Sequence, residues 1–220
     1  MLAKAPVAGL AKTRLCPPAS PTDAARIAAA ALLDTLEHAT AVPGARVMVA
    51  WTGELDDAER RAELTGALAG VEVFTQSAGG LGERIAAAHA EVARRAPGAA
   101  VLQIGMDTPQ ADADVLTAAL TRLRGSTCVL GPAVDGGWWA LGLRDPGRAA
   151  VLADVPTSRP DTGELTRRAL RDIGLDVADL PRLRDVDTAD DARVVAAEAP
   201  GTRFAAEVRM RLALMSGRPR

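Results

Sequence analysis

The sequence contains no tyrosine, two phenylalanines and three tryptophans in 220 residues. A protein that grips single-stranded nucleic acid needs rings on which bases stack, and so small a supply argues against that class. Charge of one sign is missing too. The 26 Lys and Arg stand against 28 Asp and Glu, a formal net charge of -2, so no global field draws the chain to nucleic acid or to an anionic membrane. Cysteine is scarce: Cys16 and Cys128 make neither a disulfide framework nor a zinc site. They read as reduced thiols, as expected of a cytoplasmic protein. His38 and His89 lie inside alanine-rich stretches and read as helix-face residues rather than ligands or bases. No apolar run approaches the roughly 20 residues that cross a bilayer. No long apolar stretch follows Lys4 before Lys12, so no signal peptide is expected.

What remains is the composition of an ordinary globular protein, 48% hydrophobic and 25% charged, at a length that one domain commonly reaches. Short β-branched or apolar runs at 46–51, 71–75, 100–104 and 127–130 alternate with longer stretches of helical period at 22–40, 55–68, 81–95 and 112–124. Apolar runs of that length read as strands buried on both faces, and the longer stretches as crossover helices. The order predicts an α/β, Rossmann-like fold with a mainly parallel sheet and helices on both faces. Pro43-Gly44, Pro97-Gly98 and Arg124-Gly125 fall where helices must end before strands. Residues 131–143 differ: Asp135-Gly136-Gly137 predicts a tight reversal into a second strand that runs antiparallel. A final amphipathic helix is expected over 203–214, within a single domain 1–215, and 216–220 is expected to fray. The first strand has only residues 1–5, so either it is very short or the natural chain starts upstream of Met1.

Four segments carry chemistry. The first runs from Lys4 through Pro6, Gly9, Lys12, Thr13 and Arg14 to Leu15, after the first strand and before the first long helix. Backbone N–H groups of such a loop can wrap phosphates, and Arg can pair with phosphate through two parallel hydrogen bonds. A solvated basic loop is the alternative. Ala11 before Lys12-Thr13 excludes a Walker A loop, which needs glycine there.

In the second segment an apolar strand ends on Gly105 and then Asp107. Ligands of open parallel sheets bind beyond the carboxyl ends of strands, and a carboxylate there suits Mg²⁺. Asp112 competes to cap the following helix and so frees Asp107 for that role.

The third segment, Asp135-Gly136-Gly137-Trp138-Trp139, places a carboxylate, two small residues and two rings together. Asp135 is a candidate to accept hydrogen bonds from substrate. At most one tryptophan of the pair faces a site on one side of a strand. A plain hairpin with tryptophan in the core explains the same backbone.

The fourth, Asp185 to Asp191, opens another helical run. Helix-start chemistry accounts for Thr188, for Asp190 and in one version for Asp191, and leaves Asp187 unexplained. Asp107 and Asp187 would hold a cation from two sides. The short pattern is shared with the Asp-x-Asp nucleophile of dehalogenase-type phosphatases, which carry it after strand one, so that reading is discounted. A glycine-rich stretch from Gln76 through Gly82 to Arg84 leads into a helix and reads alone as a loop.

Taken in this order, Lys4 to Leu15, Gln76 with Leu81 to Arg84, Gly105 to Pro109, Asp135 to Trp139 and Asp185 to Asp191 resemble a bacterial family of small GT-A-like glycosyltransferases. That family is similar in fold to 2-phospho-lactate guanylyltransferase, molybdenum-cofactor guanylyltransferase and the sugar-phosphate nucleotidylyltransferases. The resemblance implies a nucleotide-diphospho-sugar transferase fold of GT-A type. It further implies nucleotide contacts from Lys4, Pro6, Gly9, Lys12, Thr13, Arg14, Gln76, Gly82, Arg84 and Gly105, catalytic roles for Lys12, Arg14 and Asp135, and acceptor contacts from Asp135, Gly136, Gly137 and Trp138. Asp107 and Asp187 would hold Mg²⁺ or Mn²⁺. Gly80 stands where the family often has an acidic residue, and Trp138-Trp139 stands where it commonly has tyrosine.

The expected partners are a nucleotide or nucleotide-sugar and a small-molecule acceptor. Glycosyl transfer from a nucleotide-sugar is the first expectation and nucleotidyl transfer, with release of pyrophosphate, the second. A nucleotide-binding protein without turnover ranks third, since both metal carboxylates are present.

Overall fold

A computed structural model describes residues 1–213 and gives seven strands and seven α-helices among them. The strands are β1 (Leu2–Lys4), β2 (Met48–Thr52), β3 (Glu72–Thr75), β4 (Val101–Ile104), β5 (Cys128–Pro132), β6 (Trp138–Leu143) and β7 (Val177–Asp179). The helices are α1 (Pro21–Thr40), α2 (Arg61–Ala69), α3 (Leu81–Arg95), α4 (Ala113–Arg124), α5 (Thr162–Asp172), α6 (Ala189–Glu198) and α7 (Arg203–Ala213). The expected fraying of 216–220, and the end of the expected single domain at 215, lie outside the described residues.

Two hydrogen-bonded ladders form. β1, β2 and β3 pair in that order, all parallel. In the second ladder, β4-β6-β5-β7, β6 runs antiparallel to both neighbours, while β5 and β7 are parallel. The reversal expected at Asp135-Gly136-Gly137 is therefore the β5–β6 turn.

Alternation along β5 and β6 shows why both faces are covered. Cys128, Leu130, Leu141 and Leu143 point into a core with Ile85 of α3 and Leu170 of α5. Val129 and Ala140 point the other way, against Leu116, Ala119 and Leu123 of α4. A strand apolar on both faces has no solvent side, which is why its sequence reads as a continuous run.

α1 is alanine-rich and buried on two sides. Ala29, Leu32 and Leu36 pack on β1 and β2, and Ala24, Ile27 and Ala31 pack on α6 and α7. Small side chains let it lie close to both. Ser20 caps its start by accepting from the Asp23 N–H at 3.1 Å, and Pro21 occupies the first turn, where its missing N–H costs nothing.

The stretch 55–68 departs from expectation. A single turn covers Leu55–Asp57, and α2 starts only at Arg61. Between them the chain is pulled out of helix to brace the first loop. The Glu59 N–H donates to the Pro6 carbonyl at 3.0 Å, and its carboxylate pairs with Arg26 at 2.9 Å. Arg60 then takes a left-handed backbone, φ 56°.

A large apolar cavity of about 720 Å³ opens at the amino ends of β2 and β4, lined by Met48, Val101, Leu102, Leu116 and Leu123 among others. It holds none of the carboxylates named above. No helix among the described residues is long and apolar enough to cross a membrane.

Candidate active site

The chemistry gathers at the other end of the strands. β1 runs out at Lys4 and enters the first loop, β4 runs out at Ile104 and leads to Asp107, and β5 runs out at Pro132 and leads to Asp135. Backbone hydrogen bonds stitch these loops to the segment before α6. The Val186 N–H donates to the Asp107 carbonyl at 3.0 Å, and the Val134 N–H donates to the Leu183 carbonyl at 3.0 Å. Gln110 Nε2 also donates to the Arg184 carbonyl. Residues far apart in sequence are thereby fixed side by side.

Cations from the first loop meet carboxylates from these loops. Lys12 Nζ lies 2.7 Å from Asp107 Oδ2, and the Arg14 guanidinium bonds Asp187. Lys12 reaches across from a left-handed backbone, φ 48°, uncommon for a residue with a side chain and the kind of local strain that gathers at functional sites. Burial works against its charge, but Asp107, Asp187 and Asp185 together outweigh burial and hold its pKa above the usual lysine value. Lys12 therefore stays charged at any physiological pH.

Asp112 caps α4 by accepting from the Val115 N–H at 2.9 Å, and Asp107 is left free of that duty. Thr188 and Asp191 form the reciprocal cap of α6, at 3.2 and 2.9 Å, so Asp191 rather than Asp190 completes it. Asp190 sits exposed and pairs with Arg193.

Asp185 is the residue that the sequence reading passed over. Its carboxyl is pushed up to about 6, by burial first and then by the charges of Asp107 and Asp135. All four carboxylates thus share one field, with Lys12 inside it. A signal was present: in an extended segment residues two apart share a face, and buried Val186 between Asp185 and Asp187 marks that alternation.

Several expected ligand contacts carry structural duties. Gln76 spends both amide hydrogens on the Ala3 and Ala50 carbonyls, at 2.8 and 2.9 Å, and its Oε1 accepts from Arg84 at 3.2 Å. It thereby ties the ends of β1 and β2 to Arg84, whose buried Nε has no partner. Gly82 is buried where a Cβ would collide with the Leu152 carbonyl, so its smallness serves helix packing. Gly136 (φ 91°) leaves no room for a Cβ beside the Pro160 carbonyl, and its own carbonyl accepts from the Gly163 N–H at 2.8 Å.

A Cβ on Gly105 would crowd Asp107 Oδ1. Asp135 uses Oδ1 to accept from the Gly137 N–H at 2.8 Å and is otherwise exposed. Trp138 is half-buried and donates to Thr166 at 3.2 Å, while Trp139 turns to the opposite core and donates to the Pro181 carbonyl at 2.9 Å. In the first loop Lys4 donates to the Leu10 carbonyl at 3.1 Å, Pro6 is buried, and Gly9 (φ 78°) and Thr13 are exposed.

Residues 35–159 match the family described as an uncharacterized protein conserved in bacteria (DUF2064). The chain is 33% identical over 187 residues to a phosphoenolpyruvate guanylyltransferase of Nocardia farcinica, covering 82% of this chain and 77% of that protein. Among solved structures it resembles one described as a nucleotide-diphospho-sugar transferase of Desulfovibrio desulfuricans G20. The TM-score is 0.85 at 24% identity, over 98% of this chain and 94% of that one. A cytidylyltransferase of Leptospira borgpetersenii shares the fold at TM-score 0.55 and 14% identity, over 90% and 92%. The fold is thus that of the nucleotide-diphospho-sugar transferases, and the protein is a transferase. The chain belongs to the DUF2064 family.

Proposed function

From that membership, we propose that the protein is a nucleotidylyltransferase, which joins the nucleoside monophosphate unit of a triphosphate to a small phosphorylated acceptor. The observation that carries this reading is the meeting of Lys12 and Arg14 with Asp107 and Asp187 at the ends of the strands. Two cations suit a polyphosphate, and two carboxylates suit the divalent ion that accompanies it. An acceptor phosphate oxygen attacks the α-phosphorus. The bond from that phosphorus to the bridging oxygen breaks, and pyrophosphate leaves with the electron pair. Such a reaction asks for positioning and charge neutralisation rather than covalent chemistry from the protein.

Lys12 and Arg14 neutralise the β- and γ-phosphates as charge builds on the leaving group. Arg84, steadied by Gln76, turns its guanidinium to the nucleotide. Asp135 keeps Oδ2 for the acceptor beside Trp138. Asp107 and Asp187 fit Mg²⁺ or Mn²⁺ by their hard oxygen donors. Among the described residues no three metal-binding side chains form a ready-made cage, but Mg²⁺ commonly takes only one or two carboxylates and completes its shell with phosphates and water. When bound, the ion supplies charge neutralisation around the reacting phosphorus.

The Nocardia relative, by its name a phosphoenolpyruvate guanylyltransferase, makes GTP and phosphoenolpyruvate the first donor and acceptor to try. Pyrophosphate release is measured with each of the four ribonucleoside triphosphates, with and without phosphoenolpyruvate, in Mg²⁺. Acceptor-dependent release with one of them is expected. Glycosyl transfer is the second reading, favoured by the exposed Asp135 at the rim, where a base for an acceptor hydroxyl would stand. Turnover of nucleotide-sugars with no pyrophosphate from any triphosphate would establish it instead.

A further inference from the structure

The apolar cavity at the amino ends of β2 and β4 lies between the two ladders, at the opposite end of the strands from the candidate active site. Among the described residues the ladders share no backbone hydrogen bond. β4 pairs with β6 along one edge, and on the side of its other edge the Lys4 N–H of β1 turns to Met106 Sδ at 3.2 Å. Two stretches of chain, 45–48 and 99–102, flank the cavity, and Met1 lines it from β1.

The pairing of β1 with β2 dictates what fits between those stretches. Leu2 is opposite Ala50, Ala3 opposite Trp51 and Lys4 opposite Thr52. Counted backwards in the same register, Met1 is opposite Val49. The four positions before it then fall opposite Met48, Val47, Arg46 and Ala45, and all four of these residues line the cavity. The terminal nitrogen of Met1 already holds the place of a ladder amide. It donates to the Met48 carbonyl at 2.7 Å, the Met1 carbonyl accepts from the Ala50 N–H at 2.9 Å, and the Ala5 N–H repeats the pattern on the Thr52 carbonyl at 2.8 Å. These are the evenly spaced bonds of a parallel strand. An amine suits that place badly. Burial lowers its pKa to about 5, whereas a peptide N–H makes the same bond with no charge to desolvate.

The walls are apolar on both sides of the sheet. Val42, Leu116, Leu120 and Leu123 line the side of α4, and Val92 lines the side of α3. A strand covered on both faces has to be a continuous apolar run. We propose that this cavity is a strand seat whose occupant is the segment of this protein that precedes Met1, about four apolar residues that continue β1 parallel to β2 and join the two ladders into one sheet. β1 runs straight into the loop that carries Lys12 and Arg14, so the seated segment anchors that loop from behind.

The melting temperature of residues 1–220 is compared with that of two longer variants. In these a starting methionine and four further residues precede Met1, the four being valine and leucine in one variant and glycine and serine in the other. The intact mass of the protein isolated from the cells that make it is measured alongside. The valine–leucine segment should raise the melting temperature by at least about 5 °C over the glycine–serine segment, because each buried side chain of that size stabilises a domain this large by a few degrees. An aspartate in the middle of the apolar segment should abolish the gain. The native protein should be heavier than residues 1–220, with apolar residues directly before Met1.

Equal melting temperatures for the two longer variants would show that no strand sits in the cavity and would overturn the proposal. Stabilisation by the apolar segment, together with a native mass equal to that of residues 1–220, would give the seat to a strand supplied by another chain and overturn the assignment to this one. Either result leaves the nucleotidyl-transfer reading untouched.

Discussion

The pairs of carboxylate and cation at the strand ends and on the α1–α7 buttress use similar groups to different effect. On the buttress, Asp34 is 2% exposed within α1 and accepts from the Phe204 N–H at 2.7 Å, the Arg203 N–H at 3.2 Å and the Arg203 guanidinium at 3.1 Å. It closes the amino end of α7, where a negative charge is favoured and orphan N–H groups need acceptors. Both carboxylate oxygens have fixed partners from the protein itself. At the strand ends, the side chains of Asp107 and Asp187 each hydrogen-bond one loop cation and no other group among the described residues. A carboxylate saturated by backbone holds the fold, whereas a carboxylate held by one exchangeable side chain is available to a ligand. What surrounds a pair, rather than its length, separates the two roles.

The sharpest way to break this comparison is to remove the loop cations. In Lys12→Ala/Arg14→Ala, affinity for the nucleotide with its metal should fall at least roughly a hundredfold, since hydrogen bonds to charged groups contribute about 1.5–3 kcal/mol each. The fold should survive, and most of any loss of stability should come from Lys12, whose side chain is only 16% exposed and pairs with Asp107 at 2.7 Å, rather than from the exposed Arg14. Equal nucleotide affinity by calorimetry would make the loop merely a solvated basic stretch.

His89, on α3 against β4, offers the next largest effect and like the buttress serves the fold. It is 2% exposed, its Nε2 lies 2.8 Å from Gln103 Oε1, and burial lowers its pKa to about 4. The unfolded chain, with an ordinary value near 6.5, binds the proton more readily between those limits. Stability from the neutral imidazole is therefore complete above about pH 6.5 and is lost as pH falls toward 4, up to roughly 3 kcal/mol. Denaturant unfolding from pH 7 to 4 should show a shallower slope in His89→Gln than in wild type, whatever the variant's absolute stability. An unchanged slope would remove His89 from this role.

Asp34→Ala follows. It strands the Phe204 N–H and the start of α7, and should cost roughly 2 kcal/mol or somewhat more by denaturant unfolding. Nucleotide affinity measured well below the melting temperature should not change. A variant as stable as wild type would erase the contrast between the two regions.

The sequence carried much of the site and less of its support. Lys12, Arg14, Asp107 and the cap at Asp112 were legible because each follows a strand or precedes a helix with recognisable end chemistry. The β5–β6 reversal was legible from Asp135-Gly136-Gly137. Asp34 was not: its partners lie 169 and 170 residues away, and no local period records such a contact. The packing duties of Gly82 and Gly136 were not legible either, for a related reason. Glycine announces that something comes close, but here that is the Leu152 and Pro160 carbonyls, which lie in a stretch, 144–180, whose elements the sequence pattern left unassigned. The 55–68 stretch read as one helix because its period is helical, while the pull of Pro6 on Glu59 is tertiary.

The most direct test of the central assignment is metal-dependent pyrophosphate release by Asp107→Asn and Asp187→Asn, alongside their melting temperatures. Asparagine keeps the size and one oxygen but drops the charge, and it caps a helix about as well as aspartate. If these carboxylates hold the divalent ion, each variant should melt within a few degrees of wild type yet lose activity on the order of a thousandfold, as loss of several kcal/mol of charge stabilisation requires. Variants that keep wild-type activity and the same Mn²⁺ requirement would contradict the assignment.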